Sequence, residues 1–149
     1  MLQFGSFLFP NLGDLSGNTL TRLVCPINRL GRASVYLVAH HGDYDSNVPA
    51  LYAALRPRAA IMNNGVRKGG SPDAFRTLRA QPDLDLWQLH ASRNPGAQNG
   101  PDHFVANIDE GLTSHWIRLT AFADGSFRLV NVRAGFTKTY ANQSSHDAP

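Results

Sequence analysis

The run Val35-Tyr-Leu-Val-Ala39 constrains this chain more than any other stretch of it. Five consecutive apolar residues without polar alternation read as a strand buried on both faces, as in the interior of an α/β sheet. The run then breaks into His40-His41-Gly42-Asp43, so the strand ends in two adjacent imidazoles. The flanking sequence carries the same fold class. Asn47 to Pro57 reads as a helix, with Asn47 as its cap, Pro49 in the first turn and Pro57 as the stop. Arg58-Ala-Ala-Ile-Met-Asn-Asn64 is a second short apolar strand, opening into the loop Gly65–Gly70. Ser71-Pro72 starts a further helix, and Leu84–His90 is a third strand. Strand, helix, strand, helix and strand with short connections predict an α/β sheet at the centre of the chain.

On the amino-terminal side, Leu2–Leu12 reads as a buried strand or hairpin arm, ended by Gly13-Asp14. Ser16–Cys25 reads as a helix with Ser16 at its N-cap and Leu20, Leu23 and Val24 at helical spacing. On the other side, Ala91–His103 is rich in Gly, Pro and Asn and by composition is the least ordered interior segment. His115–Arg133 alternates on both sides of Asp124-Gly125, which predicts an antiparallel hairpin with a type I′ turn. Residues 1–140 are read as one domain and 141–149 as a polar, fraying tail.

Bulk properties exclude several function classes. The chain has 149 residues, enough for one core, with 42% hydrophobic and 17% charged residues, which excludes a disordered polymer. The net charge is +3 and the arginines are scattered singly, so the chain does not read as a dedicated nucleic-acid binder. Cys25 is the single cysteine, which excludes an internal disulfide and a cysteine-based zinc cluster; it reads as a packed thiol. No stretch approaches the length of a membrane span, and the first residues lack the basic start and small-residue cleavage site of a signal peptide. The compartment stays open.

Chemistry-bearing residues gather where two strands are predicted to end, the usual place for sites in open α/β sheets. One is Asp14 in Asn-Leu-Gly-Asp-Leu-Ser, the other the pair His40-His41. A carboxylate and an imidazole from adjacent strand ends are a sensible ligand pair for zinc or a similar divalent ion, although a catalytic zinc wants three protein ligands. The structural alternatives are a turn-forming or capping Asp14 and hydrogen-bonded histidines. Burying two imidazoles without a task is costly, which favours a site. Asn63, Asn64, Arg67, Lys68 and Ser71 surround the start of the Ser-Pro helix, where free N–H groups and cations suit a substrate anion. A solvated loop with a capped helix is the alternative there. Trp87 is read as core and His90 as structural; His103 and His115 have no evident partner.

The segment from Asn11 to Gly65, with Gly-Asp closing one strand and His-His-Gly closing the next, resembles the C-terminal half of metallo-β-lactamase-fold hydrolases. The similarity is to the branch related to the DNA-uptake protein ComEC/Rec2. It runs in order over roughly residues 4 to 90, and the closing hairpin also looks like members of that family. The resemblance implies half of an αββα sandwich, with Asp14 as the carboxylate bridging two metal ions and His40 as the last histidine ligand. These two would be the catalytic residues; His41 would stand behind them, face the substrate, or be the ligand itself. It implies two zinc ions, or manganese, acting on a small-molecule or phosphodiester substrate. The family's His-x-His-x-Asp-His string is absent, and Gly69-Gly70 stand where relatives carry a histidine. The chain therefore reads as a C-terminal half, expected to be inactive and a poor metal binder alone. The alternative is a non-catalytic interaction module that keeps half the fold. Its exposed sheet face would be an apolar patch favouring self-association or pairing with a missing N-terminal half.

Overall fold

A computed structural model describes residues 1–46, 48–111 and 114–142. Strands β1 (Leu2–Phe4) and β2 (Phe7–Phe9) form a hairpin, so the opening aromatic run is two short strands. β1 is exposed throughout, and in β2 only Phe7 is buried. Helix α1 (Gly17–Val24) follows, with Ser16 at the N-cap position but no hydrogen bond from its side chain. Cys25, just beyond it, is exposed rather than packed.

The Val35 run forms strand β3 (Val35–Leu37). It is followed by α2 (Pro49–Leu55), β4 (Ala59–Met62), α3 (Pro72–Arg79) and β5 (Asp85–His90). β3, β4 and β5 pair in parallel, with Val35 opposite Ala59 and Ala59 opposite Asp85. The capping role read for Asn47 lies outside the described residues; Val48 occupies the N-cap position of α2. Ser71 caps α3 as its sequence predicts, its Oγ accepting the Ala74 N–H at 3.2 Å, with Pro72 in the first turn.

A fourth parallel strand, β6 (Val105–Asn107), is absent from the sequence expectation; it pairs with β5 at the sheet's far edge. Three residues are too few to show a period. Its edge is closed by side chains from elsewhere: Asn131 Nδ2 and Arg133 Nε donate to the Val105 carbonyl at 2.9 and 3.2 Å. That is a standard way to blunt an open strand edge. On the opposite side β2 lies along β3, with Ser34 N–H donating to Leu8 O at 2.9 Å.

Residues 117–140 form an antiparallel sheet of β7 (Ile117–Ala121), β8 (Phe127–Asn131) and β9 (Phe136–Tyr140), one strand more than the predicted hairpin. The turn between β7 and β8 differs from the type I′ expectation, because Gly125 takes a positive φ and Asp124 does not. The loop is longer, closed by Gly125 N–H to Phe122 O and by Asp124 Oδ1 accepting from Ser126. An aspartate that bonds two residues ahead favours this turn.

The parallel sheet is therefore covered on both faces. Helices α1, α2 and α3 bury Leu20, Leu51, Leu55, Phe75 and Leu78 against one. The antiparallel sheet buries Phe127, Leu129 and Tyr140 against Val35, Ala59 and Trp87 on the other. Trp87 is fully buried; its indole N–H donates to the Tyr140 hydroxyl at 2.9 Å, which donates to Asp85 Oδ2 at 2.6 Å. The protein is thus mixed α/β: a four-stranded parallel sheet, flanking helices and a C-terminal antiparallel sheet. The outer face of that last sheet carries Arg118, Thr120, Arg128, Val130, Thr137 and Thr139, all exposed or half-buried. It is polar, not the apolar patch expected of a half-sandwich. Exposed apolar side chains stand on the first hairpin, at Met1, Leu2 and Phe4, and beside the ends of the last sheet, at Trp116, Phe122 and Val132. Among the described residues no helix is long and apolar enough to cross a membrane.

Candidate functional site

Past Leu37 the chain leaves the sheet and coils into one tight turn, Ala39–Gly42. His40 (φ 48°), His41 (φ 58°) and Gly42 (φ 77°) all take left-handed backbone conformations. For an L-residue that costs about 1–2 kcal/mol, so two consecutive histidines there are a strained device held by their surroundings. The surroundings are visible. His40 N–H donates to Gly13 O at 2.9 Å, Gly70 N–H to His41 O at 3.0 Å and Ser71 N–H to Gly42 O at 2.9 Å. Two separate segments, at Gly13 and at Gly70-Ser71, thus pin one turn.

This pinning brings Asp14 beside the histidines, and it separates the two rings. The Nδ1–H of His41 donates to the Asn63 carbonyl at 2.7 Å. Because a carbonyl only accepts, that bond sets the tautomer and leaves Nε2 as the free nitrogen. Nε2 lies 3.6 Å from Asp14 Oδ1. His40 instead meets Asp45, at 3.3 Å from Nδ1 to Oδ1. The sequence left open which imidazole accompanies Asp14; the geometry places His41 there. Asp45 is a partner the sequence reading missed, and nothing in Asp-Tyr-Asp distinguishes it from Asp43 before the turn is built.

The residues read as substrate contacts are placed around the same edge but hold different jobs. Asn63 supplies the carbonyl to His41. Asn64 is buried, its amide donating to Gly65 O and His90 O at 2.9 Å each, so it ties the end of β4 to β5. Ser71 spends its hydroxyl on the α3 cap. Lys68 is exposed and closes a tight turn by accepting the Gly65 N–H on its backbone carbonyl. Arg67 is 3.9 Å from Glu110, which also pairs with Arg93. The start of α3 is capped by its own Ser71 and carries Asp73 in its first turn.

Gly69 and Gly70 are glycines for a steric reason. A Cβ on Gly69 would lie 2.0 Å from His41 O, and both residues have positive φ. A histidine there would collide with the turn it was meant to join. The loop Ala91–His103, expected to be the least ordered, is stitched to this corner. Ser92 Oγ donates to Gly70 O at 2.8 Å and Asn94 Nδ2 to Gly69 O at 2.6 Å. Asn99 Oδ1 accepts from Ser92 N–H at 2.7 Å. Asn and Ser side chains replace absent backbone pairing, a habit their composition permits but does not announce.

Three further histidines, His90, His103 and His115, lie among the described residues. His103 packs on Phe104 and Phe136 with ring centroids 4.5 and 4.4 Å away. The backbone of His115 is held by Asn107. His90 ends β5 with its Nδ1 buried and without a hydrogen-bond partner among the described residues. Among the described residues, no group of three or more His, Cys, Asp or Glu could hold a metal ion. The edge therefore offers a two-donor pair. Compared with protein-family models, curated proteins and solved structures, the chain finds no match.

Proposed function

We propose that Asp14 and His41 are two ligands of a divalent metal centre, zinc or manganese, in a metal-dependent hydrolase of the metallo-β-lactamase type. The observation that carries this reading is the 3.6 Å between His41 Nε2 and Asp14 Oδ1, with the opposite ring nitrogen tied to Asn63 O. Donors about 2.0–2.2 Å from one zinc ion stand about 3.4–3.6 Å apart when their angle is tetrahedral or slightly wider. A histidine whose second nitrogen donates to a backbone carbonyl is also the usual form of a metal ligand, with ring and tautomer already oriented. The layer order of helices, parallel sheet and antiparallel sheet supports half of an αββα sandwich.

Within this reading Asp14 and His41 hold the ion, Asn63 orients His41, and the loop Gly69–Ser71 fixes the turn from behind. When bound, the ion supplies Lewis acidity toward a carbonyl or phosphoryl oxygen and acidifies water. His40, drawn to Asp45, stands next to the site rather than in it. Two donors do not complete a catalytic centre, so further ligands come from a segment or partner outside these residues.

Zinc titration of the chain by calorimetry tests the assignment. Weak binding is expected, lost in Asp14→Ala and His41→Ala and kept in His40→Ala. A chain that takes up no zinc at millimolar concentration, or a His41→Ala variant that binds as the wild type does, would sink it. The reading as a non-catalytic interaction module draws on a different observation, the exposed Met1, Leu2 and Phe4 on an edge strand. Light scattering decides there: a dimer dispersed by Phe4→Lys supports the module, and a monomer at all concentrations removes it.

A further inference from the structure

The opposite end of the parallel sheet carries a second cluster that the proposed hydrolase does not use. A cavity of about 430 Å³ opens there, lined by Arg32, Arg56, Arg58, Asp83, Tyr52 and their neighbours. Its volume lies within the roughly 300–1,000 Å³ of small-molecule sites. Topology assembles it. Arg32 leads into β3, Arg56 and Arg58 into β4, and Asp83 into β5. In parallel strands these leading segments share one end, away from His41 and Asn63, which follow β3 and β4.

Three guanidiniums against one carboxylate leave this lining with a formal excess of two positive charges. Helices α2 and α3 both end here, and each C-terminus contributes at most about half a negative charge. Helix-dipole compensation suits Arg56, the C-cap of α2, whereas Arg58 belongs to no helix. Arg58 is half-buried and makes no ion pair among the described residues. Arg56 stands at φ 44° and Asp83 at φ 57°, left-handed positions where glycine is the default residue. Both keep side chains at a backbone cost in the turns that end α2 and precede β5, and both line this cavity. Planar guanidiniums meet phosphate oxygens in paired hydrogen bonds.

We propose that this cavity binds a dianionic phosphate, a phosphate monoester or diphosphate, through Arg58 together with Arg32 and Arg56. The test is calorimetric titration of the full chain, dialysed free of metal, with inorganic pyrophosphate at low ionic strength. Saturable binding with Kd at or below about 1 mM is expected. Arg58→Ala weakens it about tenfold or more, the loss expected for a charge-assisted hydrogen bond. Arg56→Gly weakens it while its Tm stays at or above that of the wild type, which separates binding from folding. Lys68→Ala, on the other edge of the sheet, binds as the wild type does. Non-saturable binding, equal binding by Arg58→Ala, or loss in Lys68→Ala would each overturn the proposal.

Discussion

The two ends of the parallel sheet are built from the same strands and carry opposite chemistry. At the carboxyl-terminal end stand imidazoles and carboxylates on a turn pinned by two other segments. At the amino-terminal end stand guanidiniums around an open cavity. Both ends also hold residues in left-handed backbone conformations where glycine would relax the chain: His40 and His41 at one, Arg56 and Asp83 at the other. Parallel strands make this separation automatic, since residues that precede each strand meet at one end and residues that follow meet at the other. Left-handed residues other than glycine are thus concentrated at the two ends, and the middle of the sheet is ordinary core.

The comparison breaks entirely if the shared middle is removed. Trp87→Ala, at a fully buried position between the two sheets, is expected to cost about 3–5 kcal/mol by urea denaturation. Both ends should lose their ligands together. A loss below about 1 kcal/mol, the size expected of a surface change, would mean that the two sheets are not one folding unit.

Alkali attacks the helix-side core, which links the two ends. Tyr36 accepts the Ala39 N–H at 3.0 Å just ahead of the histidine turn, and Tyr52 lines the arginine cavity; their rings meet edge-to-face at 5.6 Å. Burial pushes the Tyr36 phenol up from 10.0 to about 12 and raises Tyr52 well above its ordinary value. The unfolded chain therefore releases these protons first. Stability is fully present below pH 10 and falls as pH rises toward about 12, by about 3 kcal/mol from Tyr36. Tyr36→Phe should flatten that decline in an alkaline unfolding series; an unchanged slope would remove Tyr36 from the cause.

Gly69→Ala separates the ends. Its Cβ would strike the His41 carbonyl, and its φ is +66°. A loss of about 1–3 kcal/mol is expected, together with loss of zinc binding and unaltered pyrophosphate binding at the other end. The smallest effects come from relieving strain. His40→Gly and Arg56→Gly should each raise stability by about 0.5–1 kcal/mol in thermal unfolding, and destabilisation in both would show that these positions are not strained.

Much of the framework was legible because its signals are local. The unbroken run at Val35, the apolar strand at Ala59–Met62 and the Ser71-Pro72 helix start each carry their own signature and sit where expected. β6 and β9 were not legible. β6 has three residues, and its edge is closed by Asn131 and Arg133, more than twenty residues away. The Asp124-Gly125 turn was placed correctly but its type was not, because Asp124 bonds to Ser126 instead of adopting a positive φ. Cys25 follows the last helical residue and faces outward, since the pattern of α1 buries Leu20 and Val24 instead.

For the candidate site, the sequence by itself determined which chemical groups are present and that Asp14 and the histidines close neighbouring segments. It also determined that the arginines precede strands. Only the tertiary structure decided that His41 and not His40 faces Asp14, because that choice rests on the Asn63 carbonyl, on the Gly13 carbonyl that accepts the His40 N–H, and on hydrogen bonds donated by Gly70 and Ser71. Adjacent residues in a left-handed turn project in different directions, and which one meets a distant carboxylate is set by contacts across the chain that no local pattern encodes.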